Sequence, residues 1–400
     1  MKIIVVGGGA AGFFAAINIA TKNPHAQITI LEKSGKLLSK VKISGGGRCN
    51  VTNGRSNPAE LVKFYPRGGK KLFDAFKQFG SAEMIQWLAN HQVPTKTEED
   101  LRVFPYSNSS QSIINCFLSE AKKLGITVKL NEAVTSFDQS DNGWKLTTTA
   151  TTYTADKVIY SPGSSPASLE LLKPLSLKIN PQVPSLFTFN IKDARIADLP
   201  GLSFEKVKIR VVKSKLLEEG PLLITHWGLS GPAVLKLSSW GAQDLKKLNY
   251  QFKILINFLP EISTEDISLG LSELRTHPNR KIHSYCPFNL PKRFWKRLCE
   301  IVGIYENQTC EELSKKHINK LSEELSQGLY EVNGKSTFKE EFVTCGGVAL
   351  SEINLKSFES KNYPGLYLAG EVIDIDGLTG GFNFQACWSA GWLISESLSS

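Results

Sequence analysis

Three glycines, Gly7, Gly9 and Gly12, follow the apolar run Ile3-Ile4-Val5-Val6, and an acid, Glu32, ends a second apolar run twenty residues after the third glycine. The spacing is G-x-G-x-x-G, with Ala10 and Ala11 filling the last gap. Each glycine serves a different end. Gly7 permits a tight turn, Gly9 lets the backbone approach a pyrophosphate, and Gly12 allows close helix–strand packing. The unpaired N–H groups and partial positive charge of the following helix N-terminus suit phosphate. Glu32 suits hydrogen bonds from the hydroxyls of an adenosine ribose, and it would repel a ribose 2′-phosphate. Strand, turn, helix, strand and acid in this order form a dinucleotide-binding fingerprint. Met1-Lys2 and the apolar run could instead open a secretory signal, but the glycines fit an apolar signal core poorly and no small-residue cleavage site follows.

A second glycine–acid site lies far downstream. Gly365-Leu366-Tyr367-Leu368-Ala369-Gly370-Glu371 reads as a turn, a short buried strand, then glycine and acid. Gly380-Gly381-Phe382-Asn383 opens a helix that runs nearly to the end of the chain, with Ala386, Ala390, Leu393 and Ile394 on its packed face. Trp388 and Trp392, one turn apart, read as core.

The elements between these sites set the organisation. Helical periodicity covers 112–124, with Ile113, Ile114, Phe117, Leu118 and Ala121 on one face. Short β-runs follow at 126–130, 133–138, 143–149 and 151–154, with Asp141-Asn142-Gly143 as hairpin turn chemistry. A further strand at 156–160 ends in Ser161-Pro162-Gly163. A β-meander before another parallel strand is the pattern of FAD proteins of the glutathione-reductase type, whereas a plain NAD dehydrogenase uses helical crossovers. From 183 the character changes, with strands expected at 185–192, 204–213, 221–226 and 250–258. The chain turns helical after Pro260, and Thr309-x-x-Glu312 is a capping box expected to open a helix to about Gln327. The expected architecture is α/β: a Rossmann-type FAD-binding domain split between 1–182 and 337–400. It carries an inserted substrate domain, 183–336, that is β-rich over 183–260 and helical over 261–336.

The totals bound the class. The 400 residues are 41% hydrophobic and 21% charged, ordinary for a globular chain of two or three domains. No apolar stretch is long enough to span a bilayer. Cysteines at 49, 116, 286, 299, 310, 345 and 387 show neither C-x-x-C nor zinc-ligand spacing, which implies reduced cytoplasmic thiols and no metal. The net charge of +9 is spread along the chain, so it reads as a solvated surface that attracts anionic ligands, and a nucleic-acid partner is not expected.

Three long stretches resemble one family. They are Lys40–Asn53 (KVKISGGGRCNVTN), Thr225–Pro232 (THWGLSGP) and Gly370–Gln385 (GEVIDIDGLTGGFNFQ). Together with the fingerprint they resemble the BaiN-like, aminoacetone-oxidase-like bacterial flavoproteins, the HI0933/YhiN family, over nearly the whole chain. The resemblance implies FAD, a Rossmann-type domain with an inserted β-domain and a small helical part, and flavin-dependent oxidoreductase activity. Members have been linked to reduction of a steroid C=C bond and to amine oxidation by O₂. In such flavoproteins the late strand ends in Ala-Gly-Asp; Glu371 replaces that Asp here. The earlier strand usually ends in Ala-Thr-Gly-Gly, and Tyr160-Ser161-Pro162-Gly163 replaces it; Pro162 has no N–H to donate.

The candidate cofactor residues are therefore the fingerprint glycines with Ala10, Ala11, Glu32 and Lys33; Lys40, Gly46, Gly47, Arg48, Cys49 and Asn50; Val134; and Gly370, Glu371, Gly380, Gly381, Phe382 and Asn383. Arg48 and Lys40 either meet the cofactor or form surface ion pairs. Cys49 has no partner at redox-motif spacing, so a dithiol mechanism is not expected. His226 is the one catalytic candidate, able to handle a substrate proton; a structural histidine is the alternative. No second fingerprint marks a nicotinamide site, so either NAD(P)H binds transiently at the flavin face, or O₂ or another acceptor reoxidises the flavin. The leading expectation is hydride transfer between flavin N5 and a small organic substrate. The alternative is a flavin-containing RNA-binding or tRNA-modifying protein, suggested by the charge and by the basic cluster Lys292–Arg297.

Overall fold

The computed structural model describes residues 1–140, 143–336 and 343–399. Asp141 and Asn142, from the expected hairpin turn, and 337–342, at the expected domain boundary, lie outside the described residues. The chain divides into two compact units, Met1–Val183 with Lys339–Ser400, and Pro184–Phe338.

The first unit is a Rossmann-type α/β layer. Strand β1, Lys2–Val6, is central and parallel to β2, Gln27–Leu31, and to strand Lys157–Tyr160. Strand Thr127–Lys129 extends the parallel sheet beyond β2, and Leu366–Leu368 extends it beyond Lys157–Tyr160. Four of the five β1 residues are buried, as a strand covered on both faces requires. Helix α1, Ala10–Lys22, is buried from Ala11 to Ala20 because it packs against the sheet and against helices Ser110–Lys123 and Phe382–Ser397. Phe14 sits among Phe79, Trp87, Phe117 and Trp388, with ring centroids 5.0–6.2 Å away. Between Thr127–Lys129 and Lys157–Tyr160 comes the meander, Val134–Ser140, Gly143–Thr148 and Thr152–Ala155, paired antiparallel as a separate sheet.

The second unit is built on a seven-stranded antiparallel sheet, in the order 328–333, 251–257, 203–211, 217–225, 228–230, 188–190, 335–336. Its inner face buries Val207, Ile209, Ile254, Ile256 and Tyr330. Helices Pro232–Trp240, Thr264–Glu273, Lys292–Ile301 and Lys315–Gln327 accompany it.

Two local expectations change. The Thr309–Glu312 box forms, but it caps a single 3-10 turn, Cys310–Glu312; Leu313 is extended, and Ser314 caps the helix that follows. Residues Gly328–Asn333, expected within the helical part, are a strand paired with Gln251–Asn257.

Candidate functional site

The fingerprint lies where β1 ends, at the strand end where parallel sheets open their ligand crevice. Gly7 has a φ of +108°, and a Cβ there would fall 2.4 Å from Ser161 O, so only glycine allows the two strand ends to approach. At Gly12 a Cβ would lie 2.3 Å from Gly7 O and 2.8 Å from Ser161 Oγ. Gly9 is the opposite case: no atom lies within 4 Å of a Cβ position. Gly9 is also the N-cap of α1, with no side-chain capping bond and no acid in the first turn. The helix start, with Ala10 and Ala11, is therefore open and uncompensated.

Glu32 is held rather than loose. Its Oε2 accepts from Gly8 N at 2.9 Å, and its Oε1 accepts from Ser34 N at 2.9 Å and Ser34 Oγ at 2.8 Å. A carboxylate has about four lone-pair positions, so acceptor capacity remains. Glu132 N donates to Glu32 O, tying the segment that leads into Val134 to the acid. Lys33 is exposed, and Val134 is half-buried at the start of the meander.

The Lys40–Asn53 and Gly370–Gln385 stretches come together in the same unit. Lys40 forms an ion pair with Glu371 and reaches Ser164 Oγ at 3.3 Å. Gly46 and Gly47 are open, with no atom near a Cβ position. Arg48 is engaged elsewhere: it pairs with Glu98 Oε1 at 2.6 Å and lies 3.9 Å over the Phe104 ring. Cys49 is fully buried, and burial pushes its thiol up to about 12, so it stays protonated at neutral pH. Asn50 Oδ1 accepts from Val103 N. Asn53 Nδ2 donates to Gly380 O at 3.0 Å, and the Tyr65 hydroxyl donates to Phe382 O at 2.6 Å. Thr52 Oγ1 donates to Gln385 Oε1, and Trp388 Nε1 donates to Val51 O. Asn383 clamps its own loop, accepting from Gly377 N and donating to Gly377 O. The Phe382 ring stacks on Phe64 at 4.6 Å. Gly370 approaches the fingerprint: its Cβ position is 3.3 Å from Ala11 Cβ.

Sequence reasoning missed the salt bridge between Arg67 and Asp376. It is bidentate, and Asp376 is fully buried. Burial alone would lower the Arg67 guanidinium, but the hydrogen bond and charge of Asp376 outweigh it and raise it. Asp376 lies inside the Gly370–Gln385 stretch, which was the available signal; nothing in the sequence marks Arg67.

His226 lies in the other unit, exposed on a hairpin, and its ring makes no hydrogen bond among the described residues. The basic cluster is largely used internally. Arg293 donates to Asp198 O, Arg297 to Ala194 O and Ala197 O, and Lys296 pairs with Glu306.

An open helix N-terminus, an oriented acid at the end of β2 and a second glycine–acid loop against Ala11 fit FAD. Fold and site define a Rossmann-type, FAD-dependent oxidoreductase that moves a hydride between flavin and an organic substrate. The chain belongs to the HI0933-like family: the family described as HI0933-like protein Rossmann domain matches residues 1–397. It is 28% identical to the ribosomal RNA dihydrouridine synthase of Escherichia coli (strain K12), covering 99% of this chain and 97% of that protein. It is 27% identical to the 3-dehydro-bile acid delta(4,6)-reductase of Clostridium scindens, covering 99% and 98%. The fold is similar to a 3-ketosteroid-delta4-(5alpha)-dehydrogenase from Rhodococcus jostii RHA1, with a TM-score of 0.54, 12% identity, and coverage of 98% and 97%. No helix among the described residues is long and apolar enough to cross a membrane.

Proposed function

We propose that this protein reduces a carbon–carbon double bond conjugated to a carbonyl, and that the bond is C5=C6 of uridine in RNA, with NAD(P)H as electron source. FAD when bound supplies hydride transfer at N5. The balance is one hydride to one ring carbon, one proton to the other, and oxidation of the nicotinamide. In this reading the N–H groups of Gly9, Ala10 and Ala11 hold the pyrophosphate and Glu32 holds the ribose. The loops Gly370–Glu371 and Gly380–Gly381 face the flavin side, with Lys40 orienting Glu371. The unit Pro184–Phe338 is the substrate domain. Seven free cysteines suit a reducing cytoplasm.

The observation that carries RNA over a steroid is charge. Lys208, Arg210, Lys213 and Lys215 are exposed at one hairpin of the second unit, and none forms an ion pair among the described residues. Arg210 to Lys215, with Leu255, line a depression of about 420 Å³. Neighbouring Lys206, by contrast, pairs with Glu219 and Glu261. Uncompensated cations suit a phosphate backbone and add nothing for an apolar ligand. The second reading, a steroid enone, shares the bond chemistry and is supported by the Clostridium scindens relative.

The test is anaerobic reduction of the holoenzyme with NADH or NADPH, followed by ribosomal RNA or a 3-keto-4-ene steroid. Flavin reoxidation by RNA, with uridine gaining two hydrogens by mass spectrometry, is the expected result. Reoxidation by the steroid alone would reject RNA.

A further inference from the structure

We infer that Trp227 is a stacking platform for a nucleobase of the bound RNA; the inference rests on the RNA reading above. Strands Leu217–Thr225 and Gly228–Ser230 pair antiparallel with Thr225 opposite Gly228, which leaves His226 and Trp227 as the two central residues of a two-residue hairpin. Such hairpins favour Asn-Gly, because their central residues take positive φ. Here both positions carry ring side chains, and neither has a positive φ.

The turn is held by other means. Thr225 Oγ1 accepts from Trp227 N at 3.3 Å and donates to Gly228 O at 3.2 Å. Ile191 N donates to Trp227 O at 2.9 Å. Gly228, at φ +143°, lies so close to the neighbouring strand that a Cβ would fall 2.3 Å from Phe189 O. A braced backbone thus presents an indole that is 62% exposed and has no ring contact, cation contact or hydrogen bond among the described residues. A tryptophan offers a large apolar face with few rotatable bonds, and the site contributes no burial of its own. Every base has a π-face, so this device accepts a base without reading its edge.

The experiment is fluorescence anisotropy of the holoenzyme with a short fluorescein-labelled oligouridylate across a salt series. Removing a stacked aromatic costs about five- to a hundred-fold in affinity. Trp227→Ala should weaken binding by that factor at every salt concentration with an unchanged salt slope, since no phosphate contact is removed. Trp227→Phe should restore most of the affinity, and Tyr305→Ala, removing another exposed ring, should change nothing. If wild type binds and Trp227→Ala binds equally well, or only the salt slope changes, the stacking assignment is overturned. If wild type itself fails to bind even at low salt, the RNA reading falls and takes this inference with it.

Discussion

Two alanine substitutions in the fingerprint should separate cofactor binding from folding. Gly9 has φ −96° and ψ −171°, which alanine adopts freely, and nothing lies within 4 Å of its Cβ position. Gly9→Ala gains about 0.4–1 kcal/mol by restricting the unfolded chain and loses a similar amount because alanine is a poor N-cap, so the melting midpoint of the deflavinated protein should stay within about 2 °C of wild type. The new methyl stands in the space proposed for the pyrophosphate. Losing one charge-assisted N–H bond there, worth about 1.5–3 kcal/mol, weakens FAD roughly 10- to 100-fold. Gly12→Ala, by contrast, destabilises the apo protein. Its methyl starts 2.3 Å from Gly7 O, so α1 must move about 1 Å to reach ordinary contact. That overpacking costs about 1–3 kcal/mol, or roughly 2–12 °C. Differential scanning fluorimetry on deflavinated protein and calorimetric FAD titration read both quantities. Wild-type FAD affinity in Gly9→Ala would refute the placement of the pyrophosphate. Equal destabilisation of the apo form by both variants would refute the packing argument.

Glu32→Ala should weaken FAD about tenfold or more while circular dichroism stays folded, because a charged hydrogen bond is lost; unchanged affinity removes Glu32 from the ribose. Cys49→Ser should keep flavin reduction and reoxidation within about tenfold of wild type, since the thiol is protonated and hydride transfer needs only N5 and a placed carbon; stopped-flow showing no turnover with FAD still bound would give the thiol a chemical role. Burial raises Cys49 and Cys387 from 9.0 to about 12, so the folded state keeps protons that the unfolded state releases above pH 9. Stability should be unaffected by this pair below pH 9 and fall by about 3 kcal/mol per pH unit above it, toward pH 12; equal urea midpoints at about pH 8 and about pH 10 would contradict the sign.

What the sequence revealed follows from what is local. The fingerprint is legible because turn, helix start and acid are set by residues within one β-α-β unit; Gly7 and Gly12 answer steric demands from that unit and the adjacent strand, whereas Gly9 meets no protein atom and leaves open space. The meander is legible through its alternation and turns. The ion pairs Lys40–Glu371 and Arg67–Asp376 are not, because 331 and 309 residues separate the partners; Lys40, Glu371 and Asp376 lie in the motif stretches, but nothing local says which residue each one meets. The Lys292–Arg297 cluster misleads for the same reason. Its arginines satisfy carbonyls of 194–198 about a hundred residues away, while the uncompensated charge lies at the hairpin Arg210–Lys215. Strand Gly328–Asn333 follows its helix with no connecting loop, and its alternation rests on Tyr330 and Val332 alone, so it reads as a helix end.

The way helices begin ties the site together. Among the described residues four helices run to thirteen residues or more. Ser109 and Ser314 cap two of them, accepting from Gln111 N and His317 N. The other two, Ala10–Lys22 and Phe382–Ser397, start at Gly9 and Gly381 with no side-chain cap and no acid in the first turn. Glycine in place of a serine or aspartate cap costs only a few tenths of a kcal/mol, and both omissions fall in the unit that carries the glycine–acid loops. Helix Phe382–Ser397 is not short of anchoring: Asn53, Tyr65, Thr52 and Val51 all bond to its first residues or to Gly380 and Trp388. The chain fixes the position of that helix start with neutral hydrogen bonds from neighbouring loops while leaving its partial positive charge unanswered. An unanswered charge on a rigid mount is what an anionic ligand requires. The same argument applies at Gly9, where pyrophosphate is the proposed anion, and at Gly381, where it is the extra electron density of a reduced flavin ring.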